Sequence, residues 1–177
     1  MRKILMPLIA VVLAAVILLG LYNGLASERV VYEMHDLQEK MEAMLPGSKT
    51  FTPEEYTGED SNIHRVWKGE TGYIVETITY GYAGNITMLV GVSFDGKVLG
   101  IAVVSQTETA GLGAVVAADN QAGQTFRDQF VGLSGPLAVT KDGGGIDAIT
   151  GATITSRAVV EGVNAALACI ADLEQAE

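Results

Sequence analysis

The stretch YIVETITYGYAGNITMLVGVSFDGKVLGIAVVSQ, Tyr73 to Gln106, holds three runs rich in Val, Ile, Thr and Tyr, side chains that suit a pleated, half-buried surface. The runs are Tyr73 to Tyr80, Ile86 to Phe94 and Val98 to Gln106. Gly84-Asn85 and Asp95-Gly96 punctuate them, and Asp-Gly supplies the positive φ angles of a two-residue hairpin turn, so the runs should pair antiparallel. The unbroken apolar segments Met88 to Val92 and Ile101 to Val104 predict central strands covered on both faces, and helices are left to do the covering. His64 to Lys68 reads as a shorter strand before them. The expected fold class is α+β: a largely antiparallel sheet flanked by helices, preceded by one N-terminal transmembrane helix.

Working outward toward the N-terminus, no charged residue lies between Ile4 and Ser27, and Ile4 to Tyr22 is almost wholly Leu, Ile, Val, Ala and Met. About 20 residues at roughly 1.5 Å each cross a hydrocarbon core, whereas the apolar region of a secretory signal runs to about 7 to 15. Residues 4–22 are therefore expected to be a retained membrane anchor; a cleaved signal peptide ending near Gly24-Leu25-Ala26 is the alternative. Arg2 and Lys3 precede the segment and acidic residues follow it. The positive-inside bias then puts the N-terminus in the cytoplasm and the main domain on the extracytoplasmic, periplasmic side of the cell (inner) membrane. Val31, Met34, Leu37, Met41, Met44 and Leu45 recur at three- and four-residue steps up to Pro46-Gly47, an amphipathic helix that can serve as stalk and cap. Residues 48–63 are polar and read as an exposed connection. The expected division is 1–27, cytoplasmic N-terminus and anchor; 28–47, stalk helix; and 48–177, the extracytoplasmic domain.

The chain has 177 residues, 49% hydrophobic and 18% charged, enough for one packed domain beside the span. Eleven basic residues face 21 acidic ones, and the net charge of -10 excludes nucleic acid as a partner. The same acidity is repelled by anionic headgroups, so attachment falls to the anchor and to protein partners. A lone cysteine, Cys169, makes no intramolecular disulfide, and His35 and His64 have no zinc-type spacing, so no metal site is expected. Cys169 falls in a C-terminal helical pattern through Val163, Leu167, Ile170 and Leu173 and reads as a small buried hydrophobe. Asn120 to Phe130 has helical character, with Phe126 and Phe130 at a four-residue step as core; Leu137 to Thr140 reads as one more strand, and Lys141 to Gly145 as a glycine-rich bend. The loop QTETAGLG, Gln106 to Gly113, ends a central strand, and Gly111 and Gly113 would let backbone approach a flat ligand.

Chemistry concentrates in DAITGATITS, Asp147 to Ser156, where Thr150, Thr153, Thr155 and Ser156 crowd the entrance of the C-terminal helix. First-turn amides and the helix dipole suit such a place to a phosphate group. The same residues also read as an ordinary helix start with Ser156 or Thr155 as N-cap. DAITGAT resembles the flavinylation motif of the FMN-binding domain family, in which an aspartate lies six residues before a threonine esterified with FMN phosphate by a flavin transferase. Thr153 is the matching threonine. ETAGLG, Glu108 to Gly113, is similar to a second family segment, usually ETPGLG, with Ala110 in place of the proline. The likeness spans about Tyr80 to Leu167. An anchor followed by a compact domain without the larger insertions of the related NqrC subunit is most similar to the G subunits of Rnf electron transport complexes.

The resemblance implies covalent FMN on Thr153, with Glu108, Thr109, Gly111 and Leu112 on the isoalloxazine side. Thr150 and Thr155 would donate to the phosphate, beside Gly151 and Ala152. It also implies that a flavin transferase recognises Asp147, Thr150, Gly151, Ala152 and Thr153. A threonine hydroxyl is a poor nucleophile at neutral pH, so self-attachment is not expected. The implied role is electron carriage without turnover by this chain alone, beside the A, B, C, D and E subunits of an Rnf-type complex, with ferredoxin and NAD chemistry coupled to Na+ or H+ translocation. Two other readings stand beside it: a free-standing anchored FMN domain serving a soluble reductase or external acceptor, and a non-redox anchored binding module. Trp67, Tyr73, Tyr80 and Tyr82 are aromatics that could neighbour a flavin or merely pack the sheet.

Overall fold

The structure, a computed structural model, describes residues 37–176; the expected anchor at 4–22 and the first part of the stalk lie outside them. The chain divides into two units, Met1–Glu39 and Lys40–Glu177, and the second carries the fold. Residues 37–44 are helical (α1), and Gly47 at φ +94° turns the chain away, as Pro46-Gly47 predicts.

Five strands follow as an antiparallel meander in chain order: β1 (Thr52–Glu54), β2 (Ile63–Lys68), β3 (Gly72–Tyr80), β4 (Asn85–Ser93) and β5 (Val98–Ser105). The four strands expected from composition are present, within a residue or two at each end. The connection expected over 48–63 contains β1 instead, paired through Thr52–Lys68 and Glu54–Val66. Pro53 disguised it, yet a proline is tolerated at a sheet edge, where its missing N–H interrupts no ladder. The turn at Asp95-Gly96 also differs: only Gly96 has positive φ, at +74°, and Ser93 exchanges bonds with Lys97 around a three-residue loop.

A C-terminal helix, α3 (Thr153–Ala176), lies across one sheet face. Tyr73, Val75, Ile86, Met88 and Val90 meet its Val159, Val163, Ala166 and Ile170 in one core. Tyr73 Oη donates to Glu174 Oε1 at 2.9 Å, so the start of β3 lies beside the end of α3. A Cβ at Gly162 would come within 2.8 Å of Thr77 Oγ1, which is why that position of the helix carries no side chain. On the other face Ile74, Leu89 and Leu45 are fully buried, and a Cβ at Gly91 would strike the Met44 carbonyl at 2.4 Å. Both faces are thus covered, which accounts for the unbroken apolar runs of β4. Among the described residues only Thr153–Gln175 is long and apolar enough to cross a membrane, and it is mostly packed inside this domain.

Between sheet and helix run a 3-10 turn at Gly113–Ala117, the helix α2 (Gln121–Asp128) and a 3-10 turn at Thr140–Asp142. Asn120 caps α2 by accepting from Gly123 N at 3.0 Å, and Phe126 and Phe130 pack edge to face in the core. Leu137 to Thr140 is not a strand: only Val139 bridges to Ile146, because three glycines bend the chain back before a ladder can extend. Cys169 is fully buried among apolar neighbours, and burial, with smaller contributions from Asp172 and Asp60, pushes its thiol up to about 12.

Candidate functional site

The ends of β3 and β5 meet the start of α3, because both strands run toward the N-terminus of that helix. At that meeting point a cleft of about 420 Å³ is lined by Tyr82, Glu108, Thr109, Leu112, Gly113, Lys141 and the helix entrance Gly151 to Thr155. A larger cavity of about 670 Å³ between the 94–96 turn, Ser134 to Pro136 and α3 is mostly apolar and lacks that set of hydroxyls, cation and helix terminus.

The entrance to α3 is built by local rules. Ala152 N donates to Ile149 O at 2.9 Å, and Gly151 at φ +76° occupies the turn position that only glycine adopts easily. The helix begins at Thr153, so Ala152 holds the N-cap position and offers no side-chain oxygen to the first amides. Neither Ser156 nor Thr155 caps the helix. Ser156 is fully buried, donates to Ala152 O at 2.9 Å and accepts from Ile149 N at 3.0 Å, so it staples the turn to the helix.

Glu108 sits under the cleft at 7% exposure. Its Oε1 accepts from Ala83 N at 2.8 Å, and its Oε2 from Tyr82 N at 3.2 Å and from the Thr155 hydroxyl. Burial works against its charge, but the Thr155 hydroxyl and the Ala83 and Tyr82 amides outweigh it and hold the carboxyl below the usual range. Glu108 therefore ties the β3–β4 turn to the first turn of α3. Thr155 is 1% exposed, and its single proton is committed to this carboxylate instead of the bond to a phosphate expected of it.

The glycines of the second motif have structural tasks beside the approach to a ligand expected of them, and Gly113 lines the cleft. A Cβ at Gly113 would lie 2.6 Å from both Glu108 Oε2 and Thr155 Oγ1, and one at Gly81 would lie 2.6 Å from Glu108 Oε1. Both are emptied of side chains by the buried carboxylate. Gly111 has open space around it and is needed for its φ of +74°. The turn closes with alanine at position 110, since Leu112 N and Ala114 N both donate to Thr109 O at 3.1 Å.

Of the residues singled out from sequence, Glu108, Thr109, Leu112, Gly151, Ala152, Thr153 and Thr155 line the cleft. Gly111 and Thr150 are exposed at its margin and absent from the lining. Asp147 is exposed; its backbone is held on both sides by Gln129, which accepts from Asp147 N at 2.7 Å and donates to Asp147 O at 3.2 Å. Tyr82 is the aromatic at the cleft, 68% exposed. Tyr80 lies on the surface outside the lining, Tyr73 is buried at the far end of β3, and Trp67 lies under Arg65 on β2. Sequence reasoning missed Lys141 and Ile154 in this role. Lys141 Nζ donates to Thr153 Oγ1 at 3.0 Å from a segment 12 residues upstream that looked like a mere bend. Ile154, 50% exposed at the second position of α3, stands beside exposed Leu112 and Tyr82 as an apolar rim.

The set fits a flavin mononucleotide on its chemistry alone. An uncapped helix N-terminus and a lysine suit the phosphate, and an apolar, aromatic rim suits a flat ring system. The cleft volume falls within the usual range for a bound small molecule, about 300 to 1,000 Å³.

The comparisons agree with this geometry. Residues 81–168 match the FMN-binding domain family. The chain is 32% identical to the G subunit of the ion-translocating oxidoreductase complex of Methanosarcina acetivorans, over 93% of this chain and 92% of that protein. It is 44% identical to the G subunit of the Na(+)-translocating ferredoxin:NAD(+) oxidoreductase complex of Acetobacterium woodii over 52% of this chain, and 45% identical to the proton-translocating counterpart of Clostridium ljungdahlii over 54%. These two alignments cover 46% and 51% of the relatives. A near full-length match, together with the domain match over the whole cleft-bearing segment, carries the assignment: the chain belongs to the FMN-binding domain family, among the G subunits of ion-translocating oxidoreductase complexes.

Proposed function

We propose that this chain is an electron-carrying flavoprotein subunit whose FMN is joined through its phosphate to Thr153 Oγ1. The observation that carries the proposal is the convergence of Thr153, Lys141 and the uncapped start of α3 in one cleft that Leu112, Ile154 and Tyr82 also line. The amides after Ala152 and the helix dipole would stabilise a phosphoester at Thr153, a favourable interaction of about 0.3 to 1 kcal/mol where exposed. Leu112, Ile154, Tyr82 and Thr109 would hold the ring, and Glu108 positions the Tyr82 turn against the helix. When bound, the flavin supplies reversible one- and two-electron storage. The protein's part is to keep the cofactor tethered and its ring close to the surface, because the rim is 44 to 68% exposed. Such exposure suits delivery to a protein partner better than turnover of a small substrate.

Attachment belongs to a flavin transferase that acts on the DAITGAT segment, and exposed Asp147 and Thr150 are accessible to it. Residues 4–22 anchor the chain in the cell membrane with the domain on the extracytoplasmic side. The partners are the A to E subunits of an Rnf-type complex coupling ferredoxin and NAD chemistry to Na+ or H+ movement; the names of the A. woodii and C. ljungdahlii relatives support that setting. The test is intact mass and peptide mapping after coexpression with a flavin transferase. The peptide with Thr153 should gain FMN less water, and Thr153→Ala should remove the gain without changing the thermal melt. Covalent flavin persisting in Thr153→Ala would overturn the site. Copurification with integral membrane subunits checks the complex.

A further inference from the structure

The GGG of residues 143–145 and the preceding lysine stand outside the two motifs, and the structure gives them a common task. Gly143 ends the Thr140–Asp142 turn at φ +86°, and a Cβ at Gly144 would collide with Ala138 O at 2.0 Å. Gly144 N and Asp142 N both donate to Val139 O, at 3.0 and 2.8 Å, and the Val139–Ile146 bridge closes the loop. The glycines fold a tight clip and do not themselves line the cleft. Two adjacent side chains of the clip reach two residues on one side of α3, four apart. Lys141 Nζ donates to Thr153 Oγ1 at 3.0 Å, and Asp142 accepts a bidentate pair from Arg157 Nε and Nη2, both at 2.7 Å. The planar Arg157 fork fixes the clip's orientation, which a single flexible contact would not.

Resting on the FMN reading above, we propose that Lys141 is the residue of this chain that activates the Thr153 hydroxyl for flavin transfer and then pairs with the phosphodiester, with the Asp142–Arg157 pair holding it there. In the transfer the Thr153 Oγ1–phosphorus bond forms and the pyrophosphate P–O bond of a flavin dinucleotide breaks. The AMP moiety departs with that oxygen, the hydroxyl proton passes to a base on the transferase, and nothing is oxidised or reduced. Negative charge gathers on Oγ1 as its proton leaves, and an ammonium at hydrogen-bond distance stabilises that charge more than it does the neutral hydroxyl. Since Lys141 already occupies one lone pair of Oγ1, the hydroxyl proton points elsewhere and is available to an external base.

The test uses the full chain with purified transferase, the flavin dinucleotide FAD and Mg2+, following the initial rate of covalent flavin incorporation by mass and in-gel fluorescence. Lys141→Gln should lower kcat several-fold with little change in KM for the acceptor chain, Lys141→Glu should lower it further, and Lys141→Arg should restore most of it. Arg157→Gln should give a smaller fall, since Lys141 keeps its charge but loses its fixed placement. Wild-type kcat in both Lys141→Gln and Lys141→Glu would overturn the proposal. So would a rise in KM at unchanged kcat, which marks transferase docking, or a loss in Lys141→Arg accompanied by a lowered melting temperature, which marks a structural role. Failure of the wild-type chain to accept flavin from a transferase that modifies a control acceptor would instead strike the FMN reading beneath it.

Discussion

Replacing Glu108 by glutamine changes one atom of the buried carboxylate and should separate its structural role from any contact with the cofactor. Three donors converge on its two oxygens: Ala83 N on Oε1, and Tyr82 N and Thr155 Oγ1 on Oε2. An amide in either orientation turns an NH2 toward at least one of them. Hydrogen bonds to a charged partner contribute about 1.5 to 3 kcal/mol, and those that survive fall toward neutral strength. Relief of the buried charge offsets part of that loss, which leaves a destabilisation of about 2 kcal/mol at pH 7. At about 2 to 4 °C per kcal/mol for a chain of this size, the melting temperature should fall by roughly 4 to 8 °C. The pH dependence is a second readout. The folded carboxyl is held below its ordinary value of 4.5, so the unfolded state takes up a proton first as the pH drops. The stabilisation is fully present above that unfolded value and is lost as pH falls through the folded one. The gap between wild type and Glu108→Gln, measured by urea unfolding at steps from pH 7 to pH 3, should therefore narrow below about pH 4.5. A variant as stable as wild type at pH 7, or a gap that stays constant down to pH 3, would refute the reasoning.

Gly113→Ala should destabilise by about 1 to 3 kcal/mol, because its Cβ would press on Glu108 and Thr155 at 2.6 Å, both buried and bonded to each other. Gly145→Ala, with nothing within 4 Å, is the matched control, and thermal melts of the pair give the comparison. Cys169, with its thiol pushed up to about 12 and no exposed surface, should resist iodoacetamide at pH 8 in the folded protein and react once urea unfolds it. Mass spectrometry reads that outcome, and rapid alkylation of the native chain would contradict the packing of α3.

The sheet was legible because strand period, composition and turn residues are local signals. Val, Ile and Thr runs between glycine-bearing turns mark β3 to β5 whatever surrounds them, and unbroken apolarity in β4 foretold cover on both faces. Thr153, the acceptor we propose, and its cleft neighbours Leu112, Gly151 and Ala152 were found through two motifs, since a motif is a linear string. The roles of Glu108, Thr155, Gly113 and Gly81 were not legible, because they depend on one carboxylate buried between three segments separated by 26 and 47 positions. β1 was hidden by a proline that only an edge position permits. Lys141 was hidden for a related reason: a lysine in a glycine-rich bend is a solvated charge in sequence, and only the clip that sets it 3.0 Å from Thr153 Oγ1 gives it chemistry. Sequence alone determined strands β2 to β5, the apolar N-terminal stretch and the threonine that carries the family's motif. Tertiary structure decided which charges serve that threonine, because hydrogen bonding and electrostatic stabilisation depend on distance and burial, and chain order encodes neither across a fold.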